Sequence, residues 1–378
     1  MMKKTNKGIY IHIPFCDKKC YYCDFTTLIK KGGAYGEYID LLLKEIDLYK
    51  DPNINVNSIY IGGGTPSLIP AIYVDKLMNK IYHSFHVSKN SEITIEANPK
   101  TLSMEKLKSY RHHGINRVSL GVQSADNHLI HQVGRNYIRE DILKDISLIR
   151  DAGFENLSID MIFGLPGQTL HHIEEDLSFI YETDLEHISW YNLILEEKTV
   201  FGHLYNKKNL NLPNEEVEEE MYYRIVDGLA EMGFDQYELS NFAKTGKESI
   251  HNLKYWNLEE YYGFGLNASS YLNKMRMKNE SRLKNYKNLL LKDEVPVTER
   301  DYINLDKERF EYIIMQMRLS KGLSLKSYEK KFNQDFLQAN KNIIKDFHKD
   351  NLIKIKDNYI FFTKKGFLLS NYFFVHLD

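Results

Sequence analysis

The first two thirds of this 378-residue chain alternate short β-rich runs with amphipathic helices, and this alternation restricts the fold more than any other feature. The predicted strands are residues 8–13, 58–61, 92–96, 117–121, 157–162 and 187–191. Two of the predicted helices between them, residues 37–50 and 140–152, carry apolar residues on one face, namely Ile39, Leu42, Leu43 and Ile46, and Ile142, Leu143, Ile146 and Ile149. Six βα units in succession predict a parallel sheet with helices outside it.

Such a sheet is either doubly wound or curled into a partial barrel, and composition does not separate the two. Polar motifs recur at the carboxyl ends of successive predicted strands, as expected when all the loops face one shared pocket. We therefore predict an α/β fold built on a partial (βα)6 TIM-type barrel.

All three cysteines, Cys16, Cys20 and Cys23, lie in one C-x3-C-x2-C run directly after the first predicted strand. This spacing lets one loop present three thiolates to three irons of a [4Fe-4S] cluster and leaves the fourth iron without a protein ligand. A cluster held by four cysteines has no open iron and mostly transfers electrons. The trio therefore predicts a cluster that awaits an exogenous ligand.

A zinc ion is the alternative metal for this loop. It would need a fourth protein ligand, for which His12 and Asp24 are the nearby candidates, and zinc motifs favour paired C-x2-C units. With every cysteine in one metal-type motif, none is left for a disulfide, which suits a reducing compartment. The apolar run at residues 9–15, after a basic start, is too short for a signal peptide or a membrane span. We therefore expect a cytoplasmic protein.

Polar residues follow the later strands as well. The turn Gly62-Gly63-Gly64-Thr65-Pro66 leaves backbone groups open to a small zwitterion, although a plain tight turn is the simpler interpretation. Glu96 and Gln123 close the next two strands, and Asp160 lies among apolar residues, where a buried carboxylate needs a partner. Arg135 offers a guanidinium that could bind a carboxylate.

Five motifs, taken together and in order, resemble the oxygen-independent coproporphyrinogen III oxidase-like family of radical-SAM proteins over essentially the whole chain. They are Tyr10-x-His-Ile-Pro-Phe-Cys16, Gly62-Gly-Gly-Thr-Pro66, Ile95-Glu-Ala-Asn-Pro99, Gly121-Val-Gln-Ser124 and Ile159-Asp-Met-Ile-Phe-Gly-Leu-Pro-Gly-Gln-Thr169. In that family S-adenosylmethionine (SAM) chelates the fourth iron, and an electron from the reduced cluster splits the sulfonium to release a 5′-deoxyadenosyl radical. Position by position, the resemblance implies a SAM site lined by Tyr10, Tyr22, Gly63, Gly64, Thr65, Glu96, Gln123, Arg135, Asp160 and Ile194.

The family contains oxidases, which decarboxylate two porphyrinogen propionates, and haem chaperones, which bind haem and pass it to acceptor proteins. The oxidases extend the cluster motif by a fourth cysteine and carry a longer segment before it, whereas this chain has Phe25 at that place and a short segment before Cys16. The run His251-Asn252-Leu-Lys-Tyr255-Trp256 resembles the chaperone motif and offers an imidazole and two aromatic faces to haem, although a buried core histidine is the simpler interpretation. We predict a haem chaperone, with coproporphyrinogen oxidation or another radical-SAM reaction on a tetrapyrrole as the alternative; whether SAM is cleaved stays open.

The end of the chain predicts a second domain. We place the barrel and its extension at residues 1–290 and a small α+β domain at residues 300–378, separated by a polar, turn-prone segment at residues 292–301. Helices at residues 306–321, 324–332 and 336–349, followed by strands at 352–355 and 358–362, resemble a winged helix. Winged helices often bind DNA, but acidic residues are interleaved with the lysines here, so a packing or lid domain is favoured over an iron-sulfur regulator.

Charge is nearly balanced, with 50 Lys and Arg against 52 Asp and Glu and a pI near 6.7, so nucleic acid is not the expected partner. The resemblance implies haem, a haem-accepting apoprotein such as a respiratory one, and an electron donor such as flavodoxin or ferredoxin. It leaves open a homodimer, a peripheral association with a membrane, and the number of bound SAM molecules.

Overall fold

The structure, a computed structural model, describes residues 6–29 and 35–377, so the basic start of the chain lies largely outside the described residues. The strands are β1 Lys7–Ile13, β2 Phe15–Cys16, β3 Leu28–Ile29, β4 Asn55–Gly63, β5 His86–Ala97, β6 Arg117–Gln123, β7 Leu157–Phe163, β8 His187–Asn192, β9 Asp235–Glu238, β10 Asn241–Ala243, β11 Tyr261–Phe264, β12 Ser269–Leu272, β13 Met275–Asn279, β14 Val297–Tyr302, β15 Leu323–Ser324, β16 Ile353–Lys356 and β17 Tyr359–Phe362. The helices are α1 Tyr35–Leu48, α2 Ala71–Ser84, α3 Met104–His112, α4 Asn127–Gln132, α5 Arg139–Asp151, α6 Leu170–Tyr181, α7 Val200–Asn206, α8 Glu215–Glu231, α9 Ile250–Trp256, α10 Leu283–Leu291, α11 Leu305–Met317, α12 Leu325–Phe332, α13 Phe336–Ala339, α14 Lys341–Lys349, α15 Lys364–Leu368 and α16 Ser370–Val375.

Twelve of the strands within residues 6–29 and 35–302 build one large sheet in the order β14-β13-β12-β11-β1-β4-β5-β6-β7-β8-β10-β9, and β2 and β3 form a separate two-stranded sheet. From β11 to β8 all neighbours run parallel, and antiparallel strands extend both ends. The six predicted strands are β1, β4, β5, β6, β7 and β8, and β11 adds a parallel neighbour that we did not predict. The edge strands β14 and β9 do not pair with each other in the described part of the chain, so the barrel is open, as predicted.

Helices cover the outer face of this sheet because their apolar residues recur with the helical period. In α2, Val74, Leu77, Met78 and Ile81 are all buried. Every residue of β6 is buried, as expected for a parallel strand with both faces covered. One detail differs from the sequence pattern: Leu143 is 37% exposed, because Ile142 occupies the core-facing position beside it.

The carboxyl ends of the parallel strands lie at one end of the barrel. The cysteine loop follows β1, the glycine turn follows β4, and Gln123 ends β6. This arrangement positions the candidate site, because loops that are distant in sequence share that end.

The C-terminal part forms a three-stranded sheet, β15-β17-β16, packed with α11 to α14. The helix predicted at residues 336–349 is divided into α13 and α14 around Asn340, and α15 and α16 were not predicted. The break predicted at residues 292–301 contains most of β14, which pairs with β13 and so belongs to the large sheet. Among residues 6–29 and 35–377, no helix has both the length and the apolar character needed to span a membrane.

Candidate cofactor site and haem motif

The cysteine loop leaves the carboxyl end of β1 and packs against the turn that follows β4. Cys16 lies in β2, and its Sγ is 3.7 Å from Oγ1 of Thr65. Cys16, Cys20 and Cys23 are free thiols, each half-buried. Burial raises the pKa of Cys16 to about 11, and the Thr65 hydroxyl opposes that rise. A bound iron would favour the thiolate instead, since a metal charge reverses this local effect.

The spacing of the sulfur atoms bears on the zinc alternative. In the described part of the chain the three Sγ atoms do not all lie within 4.8 Å of one another. Three thiolates on one tetrahedral zinc lie about 3.8 Å apart, because the Zn–S bond is about 2.3 Å. The sulfur atoms, as placed, are therefore spaced more widely than the ligands of a single zinc ion, which is compatible with a larger cluster.

His12, the zinc ligand considered from the sequence, has both ring nitrogens occupied. Its Nε2 lies 2.9 Å from the carbonyl oxygen of Thr26, which can only accept, so Nε2 carries the proton. Its Nδ1 therefore accepts the hydrogen bond from the Tyr10 hydroxyl at 3.0 Å. Burial lowers the pKa of His12, so a neutral imidazole holds Tyr10 in place.

The glycine turn fits closely between the cysteine loop and the barrel. Gly63 has φ of +117°, and its N–H donates to Oε2 of Glu96 at 2.9 Å. A Cβ at Gly63 would lie 2.6 Å from the ring of His12, and one at Gly64 would lie 2.6 Å from the carbonyl oxygen of Phe15. Both positions therefore require glycine.

Two half-buried carboxylates, Glu96 and Asp160, lie near each other inside the barrel. Burial and, secondly, the charge of Asp160 raise the pKa of Glu96 to about 7, against the opposing effect of hydrogen bonds from Tyr60 and Gly63. Asp160 accepts from the Ser119 hydroxyl at 3.0 and 3.2 Å, and burial raises its pKa too. Arg117 lies near both carboxylates, but neither forms an ion pair with a cation among the described residues, so this pair can bind an amine or ribose hydroxyls.

The remaining predicted SAM residues divide into two groups. Arg135 lies beside the cysteine loop, where one of its N–H groups donates to the Tyr22 hydroxyl at 3.3 Å, and its buried Nε has no acceptor among the described residues. Gln123 has φ of +65°, and its Oε1 accepts from Tyr137. Ile194 is different: it follows β8 and is 70% exposed, so the structure does not bring it into the barrel.

The haem motif forms α9, and its histidine is closed off from solvent. His251 is 1% exposed; its Nδ1 is 2.9 Å from Oγ of Ser58, and its Nε2 is 2.8 Å from the hydroxyl of Tyr255. Burial lowers the pKa of His251 to about 3, and the nearby Lys254 adds to that effect. Asn252 and Trp256 are half-buried on the same helix. Iron ligation by His251 would require this hydrogen-bonded ring to leave its place.

The cysteine loop and His251 lie at opposite ends of the barrel. His251 packs 3.2 Å from the position that a Cβ of Gly8 would occupy, at the start of β1, whereas the cysteines follow Ile13 at its end. A strand rises about 3.3 Å per residue, so roughly 16 Å separates the two levels.

An aromatic cluster lies beside His251, between these two levels, and includes residues that the sequence did not mark. Tyr60 stacks between Tyr10 at 6.3 Å and His251 at 5.4 Å. Ser58 and Tyr60 alternate with Ile59 and Ile61, so the period of two could have assigned both to the inner face. Arg117, 1% exposed near Glu96 and Asp160, was also missed; no local pattern marks it.

Comparison with known proteins identifies the family. The Radical SAM superfamily matches residues 10–180, and the HemN C-terminal domain matches residues 303–369. The "Heme chaperone HemW" of Bacillus subtilis (strain 168) is 37% identical over 368 residues, covering 97% of this chain and 97% of that protein. The HemW of Lactococcus lactis (strain IL1403) is 36% identical over 374 residues, covering 98% and 97%. The chain belongs to the HemW family.

The fold of this HemW-family chain also matches a solved structure. Coproporphyrinogen III oxidase (HemN) from Escherichia coli, described as a radical-SAM enzyme, superposes with a TM-score of 0.85 at 22% identity, covering 99% of this chain and 90% of that one. At this identity the likeness establishes the fold alone. The predicted family and fold class are thus confirmed, and membership of the radical-SAM superfamily implies a [4Fe-4S] cluster and SAM as cofactors.

Proposed function

We propose that this protein is a haem chaperone, which binds haem and delivers it to acceptor proteins from a [4Fe-4S]- and SAM-binding scaffold. The observation that carries the proposal is the alignment with relatives named heme chaperone HemW along 97% of both chains. A relative that matched only the barrel would have left the function open, because radical-SAM barrels serve many reactions.

Cys16, Cys20 and Cys23 would hold the cluster. Three observations fit that group: the thiols are free, the sulfurs as placed are spaced more widely than the ligands of one zinc ion, and Gly64 lets the next loop approach Cys16. With SAM, such a cluster supplies one-electron cleavage of a sulfonium when it is reduced.

The SAM site would lie where the strand ends meet the cysteine loop. We propose that the backbone at Gly63 and Gly64 binds the amino group, that Arg135 receives a carboxylate through its free Nε, and that Glu96 and Asp160 bind ribose hydroxyls or the amine. Tyr10, Tyr22, Thr65 and Gln123 would complete the walls. Ile194 would join them only if the loop after β8 folded inward.

That haem binds at His251, with Asn252, Tyr255 and Trp256 beside it, stays a prediction from the sequence motif. The two hydrogen bonds of His251 make it a structural support for Tyr255 in this conformation. We further propose a cytoplasmic location, a haem-dependent apoprotein as acceptor, and a flavodoxin- or ferredoxin-class electron donor.

Coproporphyrinogen oxidation is the competing function, and Phe25 argues against it. Its side chain is 59% exposed at the place where the oxidases carry a further cysteine. The likeness to HemN does not favour the competitor, since it establishes the fold alone.

One paired assay separates the two functions. Anaerobically reconstituted protein is titrated with haem by Soret absorbance and is incubated in parallel with coproporphyrinogen III, SAM and a reductant. We expect saturable haem binding and no protoporphyrinogen. Stoichiometric or catalytic protoporphyrinogen formation would overturn the proposal, and the Cys20→Ala variant controls for reactions that do not need the cluster.

A further inference from the structure

A cavity of about 340 Å³ lies on the outer side of the haem motif, between α9, the sheet extension and the C-terminal part. We call it the tyrosine cavity; its walls include Tyr255, Tyr261, Tyr271, Arg276 and Met315 together with two acidic residues, Glu311 and Glu259, and the Glu259 carboxylate accepts from Nζ of Lys254 at 2.7 Å. Tyr255 belongs to the motif, and the edge of its ring meets Tyr261 at 4.7 Å between centroids. Tyr255 therefore contacts His251 through its hydroxyl and lines the cavity with its ring.

Strand register builds one wall of the cavity. Tyr261 of β11 pairs with Tyr271 of β12, which pairs with Arg276 of β13. Residues that are paired across neighbouring antiparallel strands lie on the same face of a sheet, so two phenol rings and a guanidinium form one row. The opposite wall is α11, which contributes Glu311 and Met315 and belongs to the HemN C-terminal domain match.

The chemistry of these walls matches an iron porphyrin. Aromatic rings provide flat apolar faces, and phenol oxygens and a thioether are types of side chain that ligate haem iron. Arg276 already binds one carboxylate, since two of its N–H groups donate to Glu311 at 3.0 Å each. A guanidinium has five N–H groups, so it can also receive a haem propionate, beside Glu311 or in its place.

We propose that haem binds in the tyrosine cavity, with a propionate on Arg276 and its iron facing the Tyr and Met side chains rather than His251. The proposal rests on the proposed haem-chaperone function and names the place where its cargo lies. A volume at the low end of ligand cavities leaves part of the haem outside the protein, which suits a carrier that must release it. The wall on α11 gives the C-terminal domain a direct part in binding.

Haem titration of the reconstituted full-length protein tests the proposal. Arg276→Gln removes the propionate partner, and Met315→Trp fills the cavity; each is expected to weaken haem binding roughly tenfold or more, because charge-assisted hydrogen bonds or packing contacts are lost. The matched control is Arg300→Gln, on β14: Arg300 pairs with Met277, the neighbour of Arg276 in β13, so it faces the other side of the same sheet. Its haem affinity should equal that of the wild type.

A measurement on unaltered protein guards against misfolded variants. Haem loading should protect Arg276 from phenylglyoxal, read by peptide mass spectrometry, and should leave the modification of Arg300 unchanged. Equal modification of Arg276 with and without haem, or wild-type affinity in folded R276Q and M315W, would overturn the proposal that haem binds in the tyrosine cavity. If wild-type protein bound no haem at all, the proposed function itself would fail. If His251→Ala lost haem binding while R276Q and M315W kept it, the proposed chaperone function would stand, but the tyrosine cavity would not be the haem site.

Discussion

Because His251 is buried, we predict that the free energy of unfolding decreases at acid pH. The pKa of His251 is about 3 in the folded protein, because the ring is desolvated beside Lys254, and about 6.5 in an unfolded chain. Below pH 6.5 the imidazole of His251 therefore binds a proton in the unfolded chain but stays neutral in the folded protein. The free energy of unfolding consequently decreases as the pH falls. Between pH 7 and pH 4 the loss amounts to roughly 3 kcal/mol of unfolding free energy.

Denaturant unfolding of cluster-free, thiol-reduced protein at both pH values measures this loss. His251→Asn removes the titrating ring together with the hydrogen bonds to Ser58 and Tyr255, so the variant starts less stable at pH 7. The gap between wild type and variant should narrow by roughly 3 kcal/mol at pH 4, whereas His128→Asn, at an exposed site, controls for the loss of an imidazole. A constant gap would refute the reasoning, as would a His251 imidazole NMR signal that titrates near pH 6.5 in folded protein.

The cofactor site yields three further predictions. Cys20→Ala should abolish the visible absorbance of the cluster, and a full complement of iron and sulfide in the variant would contradict the three-thiolate assignment. Gly64→Ala should lower cluster content without unfolding the barrel, because its Cβ would lie 2.6 Å from the Phe15 carbonyl oxygen; iron analysis and circular dichroism decide. Glu96→Gln should weaken SAM binding roughly tenfold by calorimetry, since a hydrogen bond to a charged group is lost; unchanged affinity would remove Glu96 from the site.

The barrel was readable from the sequence because its determinants are local. Each of the six strands is a short apolar run, and polar residues such as Glu96 and Gln123 stand where those runs end. Parallel strands place their carboxyl ends together, so the meeting of these residues followed from the fold class alone.

The burial and hydrogen bonding of His251 could not be predicted in the same way. Its partner Ser58 is 193 positions away, and nothing in either segment signals the approach. The tyrosine cavity likewise depends on the register of β11, β12 and β13 and on the docking of α11, and no motif marks that register. Local pattern predicted the elements, whereas the pairing of distant elements decided which side of the haem motif is open.

The central claim is that this protein delivers haem. Its most direct test is to load the reconstituted protein with one equivalent of haem, remove free haem, and add an apo-enzyme whose activity depends on haem, following the Soret band and the recovered activity. The account predicts transfer that restores the acceptor and leaves the carrier's cluster intact. Haem that stays on the carrier, or an acceptor that recovers no faster than with free haem at the same concentration, would contradict it.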